Sequence, residues 1–287
     1  MRTICRADCH AHIIAPTRFH YATGPGYKPR ADEVGEVGVF RQVLAAHGIS
    51  HALLVQPSCY GYDNACMLEA IAQSNGRFRG VAMVHPDATD AEMFVLKEQG
   101  IVGVRLHLML VDPEALSRPG ASRFLARVKA LGWFIQVYAK GDVWAGALAP
   151  LRASRVKVVV DHFGEPDVAR GVDQPGFQAI LDLAQETDAV VKLSAVFRSS
   201  NQPFPHADVE PFIAATLDAF GVGRCLWGSD WPFINTTQQV AYGNLLGQLA
   251  HWVLDLDDQN RILWRNPAQL CGFTEGDGPR HKGESQC

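Results

Sequence analysis

Val156-Lys157-Val158-Val159-Val160-Asp161-His162-Phe163-Gly164 is a short β-branched run that ends in two ionisable residues and a glycine. Because β-branched residues pack well in sheets, the run predicts a buried strand that ends near Asp161. Seven more short apolar runs occur along the 287 residues, and longer amphipathic segments separate them. This alternation predicts parallel strands joined by helical crossovers.

The predicted strands define the fold class. They are Ile4 to His10, His51 to Pro57, Arg79 to Val84, Val102 to His107, Trp133 to Tyr138, Val156 to Asp161, Ala189 to Ser194 and Cys225 to Ser229. Tandem strand-helix pairs suit a closed (β/α)8 TIM barrel, because closure leaves no sheet edge and right-handed crossovers place the helices outside. We predict a single α/β barrel domain over residues 1–274, with an open doubly wound sheet as the alternative.

The segments between the strands carry helix signals. Thr89 or Asp90 can cap the third predicted helix, and the eighth is predicted over Thr237 to Val253. The polar stretch at 275–287 is predicted to be a disordered tail.

Charge and hydropathy limit the classes of partner. The formal net charge is −4, which gives no basic field for binding nucleic acid or an anionic membrane surface. No segment has the roughly 20 apolar residues that span a bilayer, and the N-terminus has no signal-peptide pattern. We therefore expect a cytoplasmic protein that acts on a small molecule. The sequence carries no signal of oligomeric state.

The cysteines support the same compartment. There are seven, an odd number, and none is arranged as Cys-x-x-Cys. In a reducing compartment we expect free thiols that are buried as small apolar side chains.

Reactive side chains cluster at three predicted strand ends. The first strand reads Ala7-Asp8-Cys9-His10-Ala11-His12, and the two-residue period of a strand predicts that Asp8, His10 and His12 share one face. His162 follows the sixth strand, and Asp230 follows the eighth in Trp227-Gly228-Ser229-Asp230-Trp231-Pro232. Barrel enzymes build their sites at these ends, so Asp230 is a candidate water-activating base near a group of imidazoles.

Two arginines and one loop belong to the same predicted face of the barrel. Arg105 lies in an apolar strand, so it is either paired with an internal carboxylate or directed at an anionic ligand. Arg198 follows the seventh strand, where a solvated or structural role is the simpler interpretation. His107 is either a site residue or a packing residue. The loop from Pro16 to Arg30 is long enough to contact or cover substrate.

The order of these motifs resembles the amidohydrolase superfamily, and within it the 2-pyrone-4,6-dicarboxylate lactonase-like group. The resemblance runs over nearly the whole chain. It rests on Asp8-x-His10-x-His12, Gln56-Pro57-Ser58-x-x-Gly61-x-Asp63-Asn64, Arg79-Gly80-Val81, Gly103-Val104-Arg105, Asp161-His162-Phe163-Gly164-x-Pro166, Lys192-Leu193-Ser194, Trp227-Gly228-Ser229-Asp230-Trp231-Pro232 and Asn266-Pro267.

The resemblance implies hydrolysis of a lactone, often without a tightly required metal. It implies that Asp230 is the general base and that His10, His12 and His162 polarise the carbonyl and stabilise the oxyanion. The positions that match substrate-facing residues of the group are Tyr27, Ser58, Arg105, Tyr138 and Arg198. By this resemblance Arg105 and Arg198 are carboxylate anchors.

The chain departs from the group at two positions. Leu108-Met109-Leu110-Val111-Asp112 stands where the dicarboxylate lactonase has a second arginine, and Phe233 stands where a histidine usually follows Trp-Pro. One carboxylate-binding pole is therefore weakened. A monocarboxylic or sugar-derived lactone, from aromatic or sugar catabolism, fits at least as well as pyrone dicarboxylate.

The superfamily also includes metal enzymes, many of which have a bridging carboxylated lysine or glutamate. The fourth and fifth strands here offer no such bridge: their polar residues are Arg105, His107, Gln136 and Tyr138, with Lys140 just beyond. A single Zn²⁺ held by His10, His12, His162 and Asp230 is still compatible with ligand chemistry. The hypotheses are thus a metal-independent lactonase, a metal-dependent amidohydrolase or decarboxylase, and a noncatalytic ligand-binding barrel.

Overall fold

Parallel strands form the centre of the molecule, in a computed structural model that describes residues 5–24, 26–109 and 111–276. Within these residues there are eight strands. They are β1 (Ala7–Ala11), β2 (His51–Val55), β3 (Phe78–Ala82), β4 (Ile101–His107), β5 (Phe134–Tyr138), β6 (Val158–Val160), β7 (Val190–Ser194) and β8 (Cys225–Gly228). Each predicted strand is confirmed to within a few residues; Ile4, the predicted start of the first, lies outside the described residues.

The strands follow one another around the sheet in chain order, and every neighbouring pair is parallel. The sheet closes between its first and last strands. Ala11 forms a parallel bridge with Trp231, and the amide of His12 donates to the carbonyl of Trp231 at 2.8 Å. The protein is therefore a single (β/α)8 barrel, and the open-sheet alternative is wrong.

Helices surround the barrel. Across the described residues they are α1 (Val37–Ala46), α2 (Ala65–Ala72), α3 (Asp90–Glu98), α4 (Ala121–Ala130), α5 (Val143–Ser154), α6 (Pro175–Glu186), α7 (Glu210–Phe220), α8 (Tyr242–Trp252), α9 (Leu256–Asn260) and α10 (Asn266–Cys271), with a π-helical turn at Arg261–Arg265. Thr89, one of the two predicted cap residues, caps α3 through a capping box with Glu92. The eighth helix begins at Tyr242 rather than Thr237, because residues 237–241 belong to the loop at the barrel mouth.

Two apolar layers hold the barrel together. The outer layer lies between strands and helices and includes Phe40, Met67, Trp144, Phe177, Phe212 and Trp227. The inner layer fills the lower barrel and includes Ala7, Cys9, Leu53, Val55, Val81, Phe134, Val159 and Leu226. Trp264 and Phe273 join this inner layer at the amino-terminal ends of the strands.

The first strand contains an irregularity between Asp8 and Ala11, within the stretch where a regular strand was predicted. Its register against β2 shifts between Asp8 and Ala11, and Asp8 accepts hydrogen bonds from Ser229 Oγ at 2.6 Å and from Tyr242 of α8 at 3.0 Å. The prediction that Asp8 shares a face with His10 and His12 is therefore wrong. A strict two-residue period does not survive a bulge.

The cysteines, the helix lengths and the carboxyl-terminal tail were also predicted from the sequence. The six cysteines among the described residues are buried free thiols, as predicted, and Cys287 lies outside them. None of the helices in the described part of the chain is both long and apolar enough to cross a bilayer. The predicted tail lies outside the described residues from 277 onward.

Candidate active site

A cavity of about 320 Å³ opens at the carboxyl-terminal ends of the strands. It is large enough for a small cyclic metabolite. Predicted site residues in its wall are His12, Tyr27, Ser58, Arg105, Tyr138, His162, Arg198 and Asp230. His107 is also part of the wall. Four further residues line the cavity although no site role was predicted for them: Met109, Lys140, Ile234 and Asn235. His10 is fully buried beneath the cavity.

The backbone is strained where two of these residues enter the cavity. His162 has a φ of 49° and Asp230 a φ of 64°, both in the left-handed region that residues other than glycine rarely adopt. Such conformations cost about 1–3 kcal/mol each and cluster at functional sites. The strain turns both side chains inward at the ends of β6 and β8.

Asp230 is held on both carboxylate oxygens. The Nε of Arg198 donates to Oδ2 at 2.6 Å, and the same guanidinium donates to the carbonyl of Ile234 at 3.0 Å. Oδ1 lies 3.3 Å from His12 Nε2 and 3.6 Å from His10 Nε2. Arg198 is thus paired with the candidate base, which agrees with the structural alternative predicted for it and not with the solvated one.

These contacts determine the charge of Asp230. Burial would raise its pKa, but the charge of Arg198, the largest opposing cause, holds the pKa of Asp230 well below its usual range. The carboxylate is therefore ionised at neutral pH and able to accept a proton.

His12 has a defined tautomer. Its Nδ1 lies 2.8 Å from the carbonyl oxygen of Val55, and a carbonyl oxygen only accepts, so Nδ1 carries a proton. In the neutral ring, Nε2 then has its lone pair toward Asp230. His12 Nε2 and Asp230 Oδ1 form a two-site acceptor for one proton.

His162 and His107 are neutral at ordinary pH. Burial lowers the pKa of His162 to about 4, although Asp230 and Asp161 oppose the shift. Its Nδ1 lies 2.8 Å from the hydroxyl of Ser194. Burial and the adjacent Arg105 lower the pKa of His107 to about 3. Both rings can therefore donate one N–H without carrying charge.

Arg105 is paired with an internal carboxylate, which is the first of its two predicted alternatives, and its role toward an anionic ligand stays a prediction. Its Nη1 donates to the carbonyl of Gln56 at 3.1 Å, and its Nε lies 3.5 Å from Oδ2 of the buried Asp161. The guanidinium also stacks over the ring of Tyr138, with 5.1 Å between its central carbon and the ring centroid. Arg105 is thus held from behind by Asp161 while it lines the cavity.

The long loop after β1 reaches the cavity through Tyr27. Its hydroxyl donates to Glu33, and Glu33 also accepts from the amides of Arg30 and Asn235, each at 2.8 Å. Glu33 is only 6% exposed, so this buried carboxylate fastens the loop after β1 to the loop after β8. Sequence reasoning missed Glu33, because an acidic residue in a polar loop has no distinguishing local pattern.

A second charged group lies directly below the cavity. Lys192 is fully buried on β7, with its Nζ 2.5 Å from Gln136 Oε1, 3.3 Å from His10 Nδ1 and 3.4 Å from Asp161 Oδ1. Gln136 in turn donates to Asp161 Oδ2 at 2.9 Å. The signal for this cluster was a lysine and a glutamine in the middle of otherwise apolar strands, because polar residues there must be paired.

Two groups of described residues bring together atoms that could bind a metal. In the first group, Asp230 Oδ1 lies 3.3 Å from His12 Nε2 and 3.6 Å from His10 Nε2. Ligands of a tetrahedral zinc ion lie about 3.3 Å apart, so this donor set fits a single ion. The second group, His10, Asp161 and His162, does not fit, because the Lys192 ammonium already neutralises Asp161.

Comparison with known proteins identifies relatives over almost the whole chain. The sequence profile of the Amidohydrolase family matches residues 7–273. The chain is 30% identical over 273 residues to a 4-sulfomuconolactone hydrolase of Rhizobium radiobacter, which covers 92% of this chain and 89% of the relative. It is 30% identical over 274 residues to a 2-pyrone-4,6-dicarboxylate hydrolase of Comamonas testosteroni, covering 92% of this chain and 88% of the relative.

A solved structure shows the same architecture. It is described as a probable 2-pyrone-4,6-dicarboxylic acid hydrolase from Acinetobacter baumannii with citric acid bound. The two proteins are 32% identical, with a TM-score of 0.83, and the match covers 95% of this chain and all of the other. The resemblance and the barrel fold predicted from the sequence are both confirmed.

Proposed function

The chain belongs to the amidohydrolase family, and on this premise we propose that it is a cytoplasmic lactonase that hydrolyses an anionic cyclic ester by using Asp230 as general base. The observation that carries the proposal is an ionised carboxylate at the base of a cavity whose wall contains three cationic side chains, Arg105, Lys140 and Arg198. The relatives named above are hydrolases of lactones with acidic substituents.

The first step is attack of water on the lactone carbonyl carbon. Asp230 Oδ1 takes one proton from this water while the new carbon–oxygen bond forms. His12 Nε2 lies 3.3 Å from that oxygen and shares the proton, which then protonates the ring oxygen as the carbonyl carbon–ring oxygen bond breaks. The product is a hydroxy acid, or its keto tautomer if the ring oxygen leaves as an enol.

The carbonyl oxygen gains negative charge in this step. His162 is neutral at the strand end, and if Ser194 donates to Nδ1, then the remaining N–H of the ring is on Nε2. A fixed N–H donor and nearby cations stabilise an oxyanion without reorganisation. His10, which is buried beneath the cavity, acts on Asp230 rather than on substrate in this arrangement.

The charged residues in the cavity wall indicate how many carboxylates the substrate carries. Arg105 forms an ion pair with Asp161 and Lys140 forms one with Glu165, whereas Met109 and Ile234 are apolar lining residues. Arg198 is paired with Asp230, so it is less available to a substrate carboxylate. We therefore favour a lactone with one carboxylate, or a sugar-derived lactone, over a dicarboxylate.

A divalent metal is compatible with part of the site. His10, His12 and Asp230 would hold the ion, which would polarise the lactone carbonyl as a Lewis acid. This donor set favours a metal-dependent amidohydrolase or decarboxylase as the second candidate function. Arg198 on Oδ2 of Asp230 weighs against it, because the carboxylate is already paired with a cation.

Hydrolysis of carboxylated and sugar lactones by chelator-treated protein tests the proposal. Base-consumption titration at constant pH measures acid release from every substrate in the panel. Turnover that is equal with and without added Zn²⁺ supports the Asp230 mechanism. Turnover that requires added Zn²⁺ or Mn²⁺ supports the second candidate instead.

A further inference from the structure

The buried Lys192 has no part in the steps above, although it contacts a residue of the site. Its Nζ is in hydrogen-bond geometry with Gln136 Oε1 and His10 Nδ1, and it forms an ion pair with Asp161 Oδ1 at 3.4 Å. Lys192, His10 and Asp161 are each fully buried. A buried ammonium is costly unless it has hydrogen-bond and ion-pair partners, so the orientation of these partners is constrained by it.

His10 can carry its proton on either ring nitrogen, and the surroundings of Nδ1 decide which. Asp161 Oδ1, an acceptor, lies 3.2 Å from Nδ1, and Lys192 Nζ, a donor, lies 3.3 Å away. The lysine contact has the geometry of a hydrogen bond, whereas Asp161 Oδ1 has no hydrogen-bond partner of acceptable geometry among the described residues. Nδ1 is therefore an acceptor.

The proton of the neutral ring must then be on Nε2. This nitrogen is buried and has no hydrogen-bond partner among the described residues, and it lies 3.6 Å from Asp230 Oδ1. An imidazolium has no lone pair that could accept from Lys192, so a ring that accepts at Nδ1 is neutral. A neutral ring has a single N–H to assign.

We propose that Lys192 is a positioning residue that holds His10 in the Nε2–H tautomer, so that His10 directs a donor at Asp230 and is a poor metal ligand. This role of Lys192 rests on the proposed function only where Asp230 is the general base. Ligation of a metal through Nε2 requires the opposite tautomer, in which Nδ1–H donates to a carboxylate such as Asp161. Lys192 disfavours that arrangement because its ammonium faces Nδ1.

The proposal has two consequences that do not depend on turnover. Without the ammonium, Nδ1–H of His10 can donate to Asp161 Oδ1, which lies 3.2 Å away. Nε2 then has a lone pair beside His12 Nε2 and Asp230 Oδ1, which completes the donor set for zinc. We expect Lys192→Met to bind Zn²⁺ roughly tenfold more tightly, the size of effect typical of groups that orient a ligand.

The experiment uses the full chain labelled with ¹⁵N-histidine and freed of metal. Long-range ¹H–¹⁵N correlation spectra distinguish the two tautomers of each ring, and the spectrum of His10→Gln identifies the His10 signals. Zn²⁺ affinity is measured by competition with a chromophoric chelator. Lys192→Arg retains a buried donor, and Lys129→Met removes an exposed lysine from α4 as the control.

The expected result is Nε2–H in the unmodified protein and in Lys192→Arg, with Nδ1–H and tighter zinc binding in Lys192→Met. Nδ1–H in the unmodified protein overturns the proposal, even if the methionine variant does not fold. An unchanged tautomer and zinc affinity in a folded Lys192→Met overturns it as well. Neither spectrum nor affinity requires a substrate, so a failure to hydrolyse lactones would count against the proposed function alone.

Discussion

The Nε of Arg198 lies 2.6 Å from Oδ2 of Asp230, and this contact leaves Oδ1 as the oxygen that faces His10 and His12. The pair comes from adjoining strand ends, since Arg198 follows β7 and Asp230 follows β8. It keeps the carboxylate charged and fixes its orientation.

Replacement of the base should abolish most of the activity. Asp230→Asn keeps the size of the side chain but cannot accept a proton, and general-base catalysis contributes about 10²–10⁴-fold. We expect kcat for lactone hydrolysis to fall by that factor with little change in KM. Steady-state kinetics on the variant measures this, and Asp182→Asn, at an exposed position of α6, is the control. A kcat within threefold of the unmodified enzyme removes Asp230 as base.

The pH profile should extend far into acid. The pKa of Asp230 is lowered, so its base form persists above that depressed value and is lost only as the pH falls through it. His162, with a pKa of about 4, is protonated first as the pH falls. We expect kcat/KM to be flat from about pH 8 to about pH 5 and to decline near pH 4.

The pH profile of an Arg198 variant can be compared with that of the unmodified enzyme. Arg198→Met removes the cation that lowers the pKa of Asp230, so its acid limb should move to higher pH. Circular dichroism at each pH separates loss of activity from unfolding. An acid limb between pH 6 and 7 in the unmodified enzyme contradicts this account of the base.

Arg105 should contribute to binding in proportion to substrate charge. Arg105→Met removes one cation from the cavity wall, and charge-assisted hydrogen bonds contribute about 1.5–3 kcal/mol. We expect KM to rise about 10- to 100-fold for a carboxylated lactone and much less for a neutral lactone of the same ring size. Arg123→Met, at an exposed position of α4, is the control. Equal effects on the two substrates would show that Arg105 is only structural.

Glu33 should couple loop order to substrate binding. Glu33→Ala removes the acceptor shared by the Tyr27 hydroxyl and the amides of Arg30 and Asn235. A buried donor left without its acceptor costs about 1–3 kcal/mol. We expect a lower melting temperature and a several-fold higher KM, with Glu36→Ala, at an exposed position, as the control. Thermal unfolding and kinetics measure both effects; an unchanged KM means that Glu33 does not position Tyr27 for binding.

Strand order and the barrel were predictable because each run of β-branched and apolar residues is short, bounded and repeated. The end of β6 is an example: Val158 to Val160 gives the strand, and Asp161-His162-Phe163-Gly164 gives the strained turn. Asp8 was assigned to the wrong face because a bulge in β1 cannot be seen in a two-residue period.

The pairing within the site was not predictable from local sequence. Lys192 and His10 are separated by 182 residues and are brought together by closure of the barrel, whereas Arg198 and Asp230, separated by 32, meet because β7 pairs with β8. Sequence spacing gave the strand end on which a residue lies. Spacing could not predict which carboxylate pairs with each cationic side chain, because that pairing depends on the register between strands.

The most direct test of the central claim is lactone hydrolysis by metal-free protein, assayed in parallel for the unmodified chain and Asp230→Asn. The panel contains a lactone with one carboxylate, 2-pyrone-4,6-dicarboxylate and a sugar lactone, each with and without Zn²⁺. The account predicts turnover of at least one anionic or sugar lactone without metal and its loss in the variant. No hydrolysis of any lactone by the unmodified chain under either condition, or hydrolysis that the variant retains in full, contradicts it.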